Sequence, residues 1–151
     1  MGVYGNINTS DLKRHIIKVC QRVETLVKQD GVYGNIDVKF EVASIGCSDG
    51  QYCFSDETGY YYRCLERGTI LVDRKTNNLF EITYWAVVPW IAEMSYAYEK
   101  KHRVNGQDNR KLMFSKRLQY FKELGEDYRQ RAEFEINEIL KDHPFQDELF
   151  K

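Results

Sequence analysis

The sequence predicts an α+β fold: a small antiparallel β-meander of three to four strands plus an N-terminal helix, a long kinked central helix and a C-terminal helical hairpin. Three changes of rhythm predict it. Apolar residues recur every three or four positions from Leu12 to Leu26, every two positions from Val38 into the seventies, and every three or four again from Leu79 onward. With 151 residues and 42% hydrophobic content, the chain can bury a core of its own without staples, so residues 1–151 are expected to form a single domain. The composition is that of neither a disordered nor a membrane chain. Lys and Arg number 22 against 23 Asp and Glu, and this balance gives no electrostatic reason for a nucleic-acid or anionic-lipid partner.

The first helix has possible N-caps at Thr9, Ser10 and Asp11. Leu12, Ile16, Val19, Val23 and Leu26 form its apolar stripe, Lys13, Arg14, Lys18 and Arg22 its solvated face, and Asp30-Gly31 its end. Val38, Phe40 and Val42 alternate with Lys39 and Glu41, which predicts a strand with one buried face. Turn clusters at Gly46–Gly50, Asp56–Gly59 and Arg67-Gly68 then separate strands at Gln51–Phe54, Tyr60–Glu66 and Thr69–Asp73. In Tyr60-Tyr61-Tyr62 the alternation puts aromatics on both faces, so at least one hydroxyl lies away from the core. Asn77 or Asn78 caps a helix running from Leu79 to about Arg103, apolar nearly all round from Ile82 to Ala92 and kinked at Pro89, which cannot donate to the Trp85 carbonyl. Two helices follow, one capped by Asp108 or Asn109 with Phe114, Leu118 and Phe121, the other with Tyr128, Ala132, Ile136 and Ile139, broken by Gly125 and ending at His143-Pro144. Bases dominate residues 100–122 and acids residues 123–148; the expectation is that the two helices neutralise each other.

The N-terminus carries no basic and apolar leader pattern, and the longest apolar run, around Ile82–Ala92, is too short to span a bilayer, so a cytoplasmic chain is expected. Cys20, Cys47, Cys53 and Cys64 show no metal-ligand spacing and read as reduced thiols. Gly-Val-Tyr-Gly-Asn-Ile occurs at 2–7 and again at 31–36 without a sustained period, which reads as two similar turns flanking a helix.

Catalytic signatures are missing from the sequence: His15, His102 and His143 are scattered, and no P-loop, G-x-G-x-x-G or G-x-S-x-G is present. No catalytic, cofactor-binding or metal site is expected. The densest polar cluster is Glu99, His102, Arg103, Gln107, Asp108 and Arg110. Glu99, Arg103, Asp108 and Arg110 read as a network that satisfies the helix ends at a junction. The alternative is a small enzyme using Glu99, His102 and Asp108 for acid–base chemistry, or a ligand-sensing domain around Trp85 and Trp90, which at helical spacing otherwise read as core.

Five segments in order resemble one family. Tyr60-Tyr61-Tyr62-Arg63-Cys64-Leu65-Glu66-Arg67-Gly68 resembles the Tyr-rich strand ending in Glu-Arg-Gly of the immunity protein 63 family, and Asn78-Leu79-Phe80-Glu81-Ile82-Thr83-Tyr84-Trp85 resembles its D-L-x-E-L-L-Y-W helix start. Tyr98–Arg103 and Gln107–Lys111 are similar to its Y-E-x-K-H-R and Q-D-x-R-R signatures, and Glu135–Phe145 to its E-I-x-x-I-L-x-x-H-P-F ending. The resemblance spans about residues 59–147. It implies a bacterial immunity protein that binds and occludes the effector domain of a cognate secreted polymorphic toxin, stoichiometrically and without turnover. It carries no catalytic residues over. Under that reading the residues expected to meet the toxin are Asp56, Glu57, Tyr60, Tyr61, Tyr62, Tyr98 and Glu99, since a few aromatic and charged anchors dominate such interfaces. Against a nuclease toxin, Asp56 and Glu57 would stand in for phosphate.

Overall fold

The computed structural model describes residues 6–147. It has five helices and a four-stranded mixed sheet of order β1-β2-β3-β4, the α+β arrangement the sequence predicts. The first copy of the repeated hexapeptide lies mostly outside the described residues. Two compact units divide the described residues, one gathering 6–19 with Asn35–Trp90, the other Cys20–Gly34 with 91–147.

In the first unit, α1 (Thr9–Gln21) is capped one residue earlier than expected: the Asn8 side-chain oxygen accepts from the Asp11 N–H at 2.8 Å. Leu12, Ile16 and Val19 are buried. The strands are β1 (Val38–Lys39), β2 (Gly50–Asp56), β3 (Gly59–Glu66) and β4 (Thr69–Thr76). β2, β3 and β4 form the expected antiparallel meander, but β1 pairs in parallel with β2. The alternation at 38–42 predicts a longer strand than the two residues of β1. Instead the chain leaves the sheet after Lys39, because a parallel neighbour requires a crossover before the next strand begins. That crossover buries Ala43 with Tyr52, Phe54 and Leu65 on one sheet face, while Val42 is exposed. On the opposite face Cys53, Tyr60 and Tyr62 are buried; Ser55 and Thr9 exchange hydrogen bonds there, and the Ile7 N–H donates to the Tyr60 hydroxyl at 3.0 Å.

The β3–β4 turn has both central residues in the left-handed region, Arg67 at φ +53° and Gly68 at +76°. That is the primed geometry matched to strand twist, and Arg67 occupies it against its own Cβ. Arg67→Asn is expected to stabilise the protein by about 0.5–1 kcal/mol, read as a higher urea midpoint. A lower midpoint would mean that the arginine side chain contributes more than its backbone costs.

In the second unit the first helical stripe is broken in two: Val23 leaves helical register and α2 (Glu24–Gln29) restarts the chain. α2 closes at Asp30-Gly31 as expected, with Val32 N–H on the Val27 carbonyl and Gly31 N–H on that of Lys28. α3 (Leu79–Lys101), capped by Asn78, contributes residues to both units and contains Pro89. α4 (Asn109–Leu124) and α5 (Glu126–Asp142) form the expected hairpin around Gly125, whose φ of +154° calls for glycine. Across the hairpin Lys122 helps to hold the Glu126 pKa down, after the Arg129 pairing that dominates it; most of the close ion pairs, however, are made elsewhere. Within α5, Arg129 pairs with Glu126 and Glu133, Arg131 with Glu135, and Lys141 with Glu138. The bases of α4 reach elsewhere: Arg110 to Asp108, Lys111 to Asp147 and Lys116 to Asp30. Spacings of three and four within a helix are simply the nearest solution.

Candidate partner-binding surface

The β2–β3 hairpin tip of the first unit holds the accessible part of the expected surface. Asp56, Glu57 and Thr58 are exposed. One carboxylate oxygen of Asp56 accepts from the Thr58 hydroxyl (2.7 Å), the Thr58 N–H (2.8 Å) and the Gly59 N–H (3.2 Å), which holds its pKa below the usual carboxylate range. Asp56 therefore shapes the turn, and Glu57 beside it projects into solvent. Alternation then sorts the three tyrosines. Tyr60 and Tyr62 lie inside; the Tyr62 hydroxyl donates to the Gln51 side-chain oxygen and accepts from the Cys64 thiol, and burial pushes its pKa up. Tyr61 alone stands half-buried on the crossover face, stacked on Phe54 at 4.9 Å with its hydroxyl 2.6 Å from that of Thr58. The Arg63 guanidinium and the Lys75 ammonium lie 5.4 and 5.5 Å from its ring centre. Of the tyrosines at 60–62, only Tyr61 is accessible from solvent to any extent beyond a few per cent.

In the second unit, the Arg103 guanidinium grips Glu99 with two hydrogen bonds, 3.0 and 2.7 Å, as the spacing predicts. The Glu99 side chain is only 1% exposed, whereas that of Arg103 is 54% exposed, so the accessible member of the pair is the arginine and not the predicted Glu99. Tyr98 is half-buried against His102, at 4.2 Å between rings, and against the Lys116 ammonium, also at 4.2 Å. Lys116 in turn pairs with Asp30 at 2.8 Å, and Asp30 accepts from the Tyr120 hydroxyl, whose pKa is pushed up first by burial and then by that carboxylate.

Asp108 and Arg110 form a separate network. Buried Asp108 caps α4 through the Arg110 N–H at 3.0 Å, pairs with the Arg110 guanidinium at 2.9 Å and accepts from the Gln146 N–H at 3.0 Å. Led by the guanidinium, these donors lower its pKa to about 2. Arg110 also donates to the carbonyls of His143 and Pro144, while Phe145 lies against Phe114 and the cations of Arg110 and Lys111. The sequence segments Gln107–Lys111 and His143–Phe145 are thus two halves of one staple.

Sequence reasoning missed Asp30 and Lys116 as members of the second-unit cluster. Lys116 lies two residues from both Phe114 and Leu118, between Ser115 and Arg117, and nothing in that spacing marks it as the buried cation of α4. Trp90 is buried, and Trp85 is half-buried beneath the Arg74 guanidinium at 5.1 Å. All four cysteines are free; burial raises the pKa of Cys20 to about 12 and that of Cys53 further still. Among the described residues no helix is long and apolar enough to cross a membrane.

Comparison with curated proteins and with solved structures finds no match. A family model described as Immunity protein 63 matches residues 56–138, more than half of the chain, from the hairpin tip through β3, β4, α3 and α4 into α5. With the Tyr-rich strand, the Glu99–Arg103 pair and the Asp108–Arg110 cap all inside the matched stretch, the chain belongs to the immunity protein 63 family.

Proposed function

We propose that the protein is the antitoxin of a secreted bacterial polymorphic toxin: in the cytoplasm of the producing cell it binds the toxin's effector domain one to one and occludes it. The family match over residues 56–138 carries this reading. The partner is a protein and not a nucleic acid or a membrane, in keeping with a net charge of -1. Within the first unit, Asp56, Glu57 and Tyr61 are accessible and supply an aromatic and acidic contact set; in the second, Tyr98 is the half-exposed aromatic. α1 and α3 each run through both compact units, which supports treating the chain as one functional domain. The enzyme reading draws no support from the acids it would need. Glu99 is forked by Arg103, and Asp108, with a pKa of about 2 and several donors, is a poor proton shuttle at neutral pH.

The test uses the effector domain encoded beside this chain's gene. Protection of cells producing that domain is expected to saturate at a 1:1 ratio and to survive His102→Ala. Protection at sub-stoichiometric ratios, or its loss in His102→Ala while the effector domain is still bound, would favour turnover and sink the occlusion reading.

A further inference from the structure

Among the described residues the sheet ends at β4, an eight-residue strand, while its other edge, β1, has two residues. An edge strand exposes a row of N–H and C=O groups that can pair with another chain, and proteins commonly guard it with outward charges or a bulge. The register irregularity here falls between Cys64 and Leu65, and from Val72 to Thr76 the pairing with β3 runs without a break. Three consecutive charges occupy that regular stretch, and each has a neighbour on the protein. Asp73 accepts from Arg63 Nε at 2.9 Å, the Arg74 guanidinium lies 5.1 Å from the Trp85 ring, and the Lys75 ammonium lies 5.5 Å from the Tyr61 ring. All three remain exposed, so the two cations bar a basic strand from this edge and admit an acidic one. Beside it, Leu71 is 61% and Val72 37% exposed.

We infer that the outer edge of β4 receives an extended segment of the toxin effector as a fifth strand, apolar opposite Leu71 and Val72 and acidic opposite Arg74 and Lys75. The inference rests on the proposed antitoxin function and names its contact. Backbone pairing supplies the affinity in this mode and alternate side chains the specificity. The acidic preference follows from charge: Arg63 neutralises Asp73, whereas Arg74 and Lys75 lie over neutral rings and keep their charge for the partner. The edge also continues the hairpin-tip surface, since Lys75 is the cross-strand partner of Tyr61.

Hydrogen exchange of the full chain, alone and with the neighbouring effector domain, tests this. The expected result is slower exchange across residues 69–76 in the complex. Leu71→Lys and Arg74→Glu/Lys75→Glu should each weaken binding at least tenfold, with wild-type circular dichroism and with Lys13→Glu as a surface control. Leu71 is exposed, so its replacement leaves the core intact. A complex that forms with unchanged exchange at 69–76 overturns the edge contact and leaves the antitoxin reading standing. Failure to form any complex overturns both. Slower exchange at 69–76 that grows with the chain's own concentration, without effector, assigns the edge to a second copy and overturns the inference.

Discussion

Asp108→Ala is expected to lower the unfolding free energy by about 3–5 kcal/mol, the range for removing one partner of a buried ion pair. Asp108 is fully buried and does three jobs at once. It caps α4, a role worth about 1 kcal/mol by itself. It pairs with Arg110, whose side chain is only 27% exposed and keeps its charge when the carboxylate is gone. It also receives the Gln146 N–H, so the segment from His143 to Asp147 loses an anchor together with the alignment of Arg110 on the His143 and Pro144 carbonyls. Asp108→Asn keeps an oxygen for the cap and should lose less. Urea unfolding checks the series; a loss under about 1 kcal/mol for Asp108→Ala would show that the staple holds little. Acid supplies an independent reading. The folded pKa, about 2, lies below the ordinary 3.8, so this carboxylate stabilises the fold fully above the ordinary value and less and less as pH falls from there toward 2. Asp147, Glu126 and Asp56 are shifted in the same direction. The wild type should therefore lose stability on acidification through that window, and Asp108→Ala should show a shallower slope there.

The sequence made some of this readable and hid the rest for identifiable reasons. Local rules read well: the Glu99–Arg103 spacing, the Asp108 cap, the Asp30-Gly31 helix end and the Gly125 break are each decided within a few residues, and each is present. Alternation placed the 60–62 tyrosines on two faces but could not say which face the core would take. That depended on the crossover at 40–49, whose parallel return to β2 involves residues far apart in sequence. The break between α1 and α2 escaped notice because no Gly or Pro marks it; Arg22 beside it donates instead to the Leu124 carbonyl at 2.7 Å, a contact spanning most of the chain. The polar cluster at 99–110 read as one network and folds as two, because the partner of Asp108 and Arg110 is the distant 143–147 segment. The β4 edge was legible as a strand, but not as an edge, since strand order is a property of the assembled sheet.

Asp30→Ala is expected to match the loss at Asp108, about 3–5 kcal/mol, for a related reason. Asp30 and Lys116 are both largely buried, with side chains 15% and 10% exposed. Removing the carboxylate leaves the ammonium with Gln119 and the faces of Tyr98 and Tyr120, and leaves the Tyr120 hydroxyl without the acceptor it had at 2.8 Å. If the uncompensated cation is the main cost, taking it away as well should restore stability. Asp30→Ala/Lys116→Met should then be more stable than Asp30→Ala, because an apolar side chain of similar length refills the space without a charge. The remaining deficit should be about 1–3 kcal/mol for the stranded hydroxyl, and adding Tyr120→Phe should remove most of it. Urea unfolding of the single, double and triple variants gives the coupling directly, since the residues touch and their effects cannot add. Should the double variant be no more stable than Asp30→Ala, the energy lies in how Asp30 closes α2 and not in its pairing with Lys116. The Arg22–Leu124 contact would then be the next place to look for what holds α2 in the second unit.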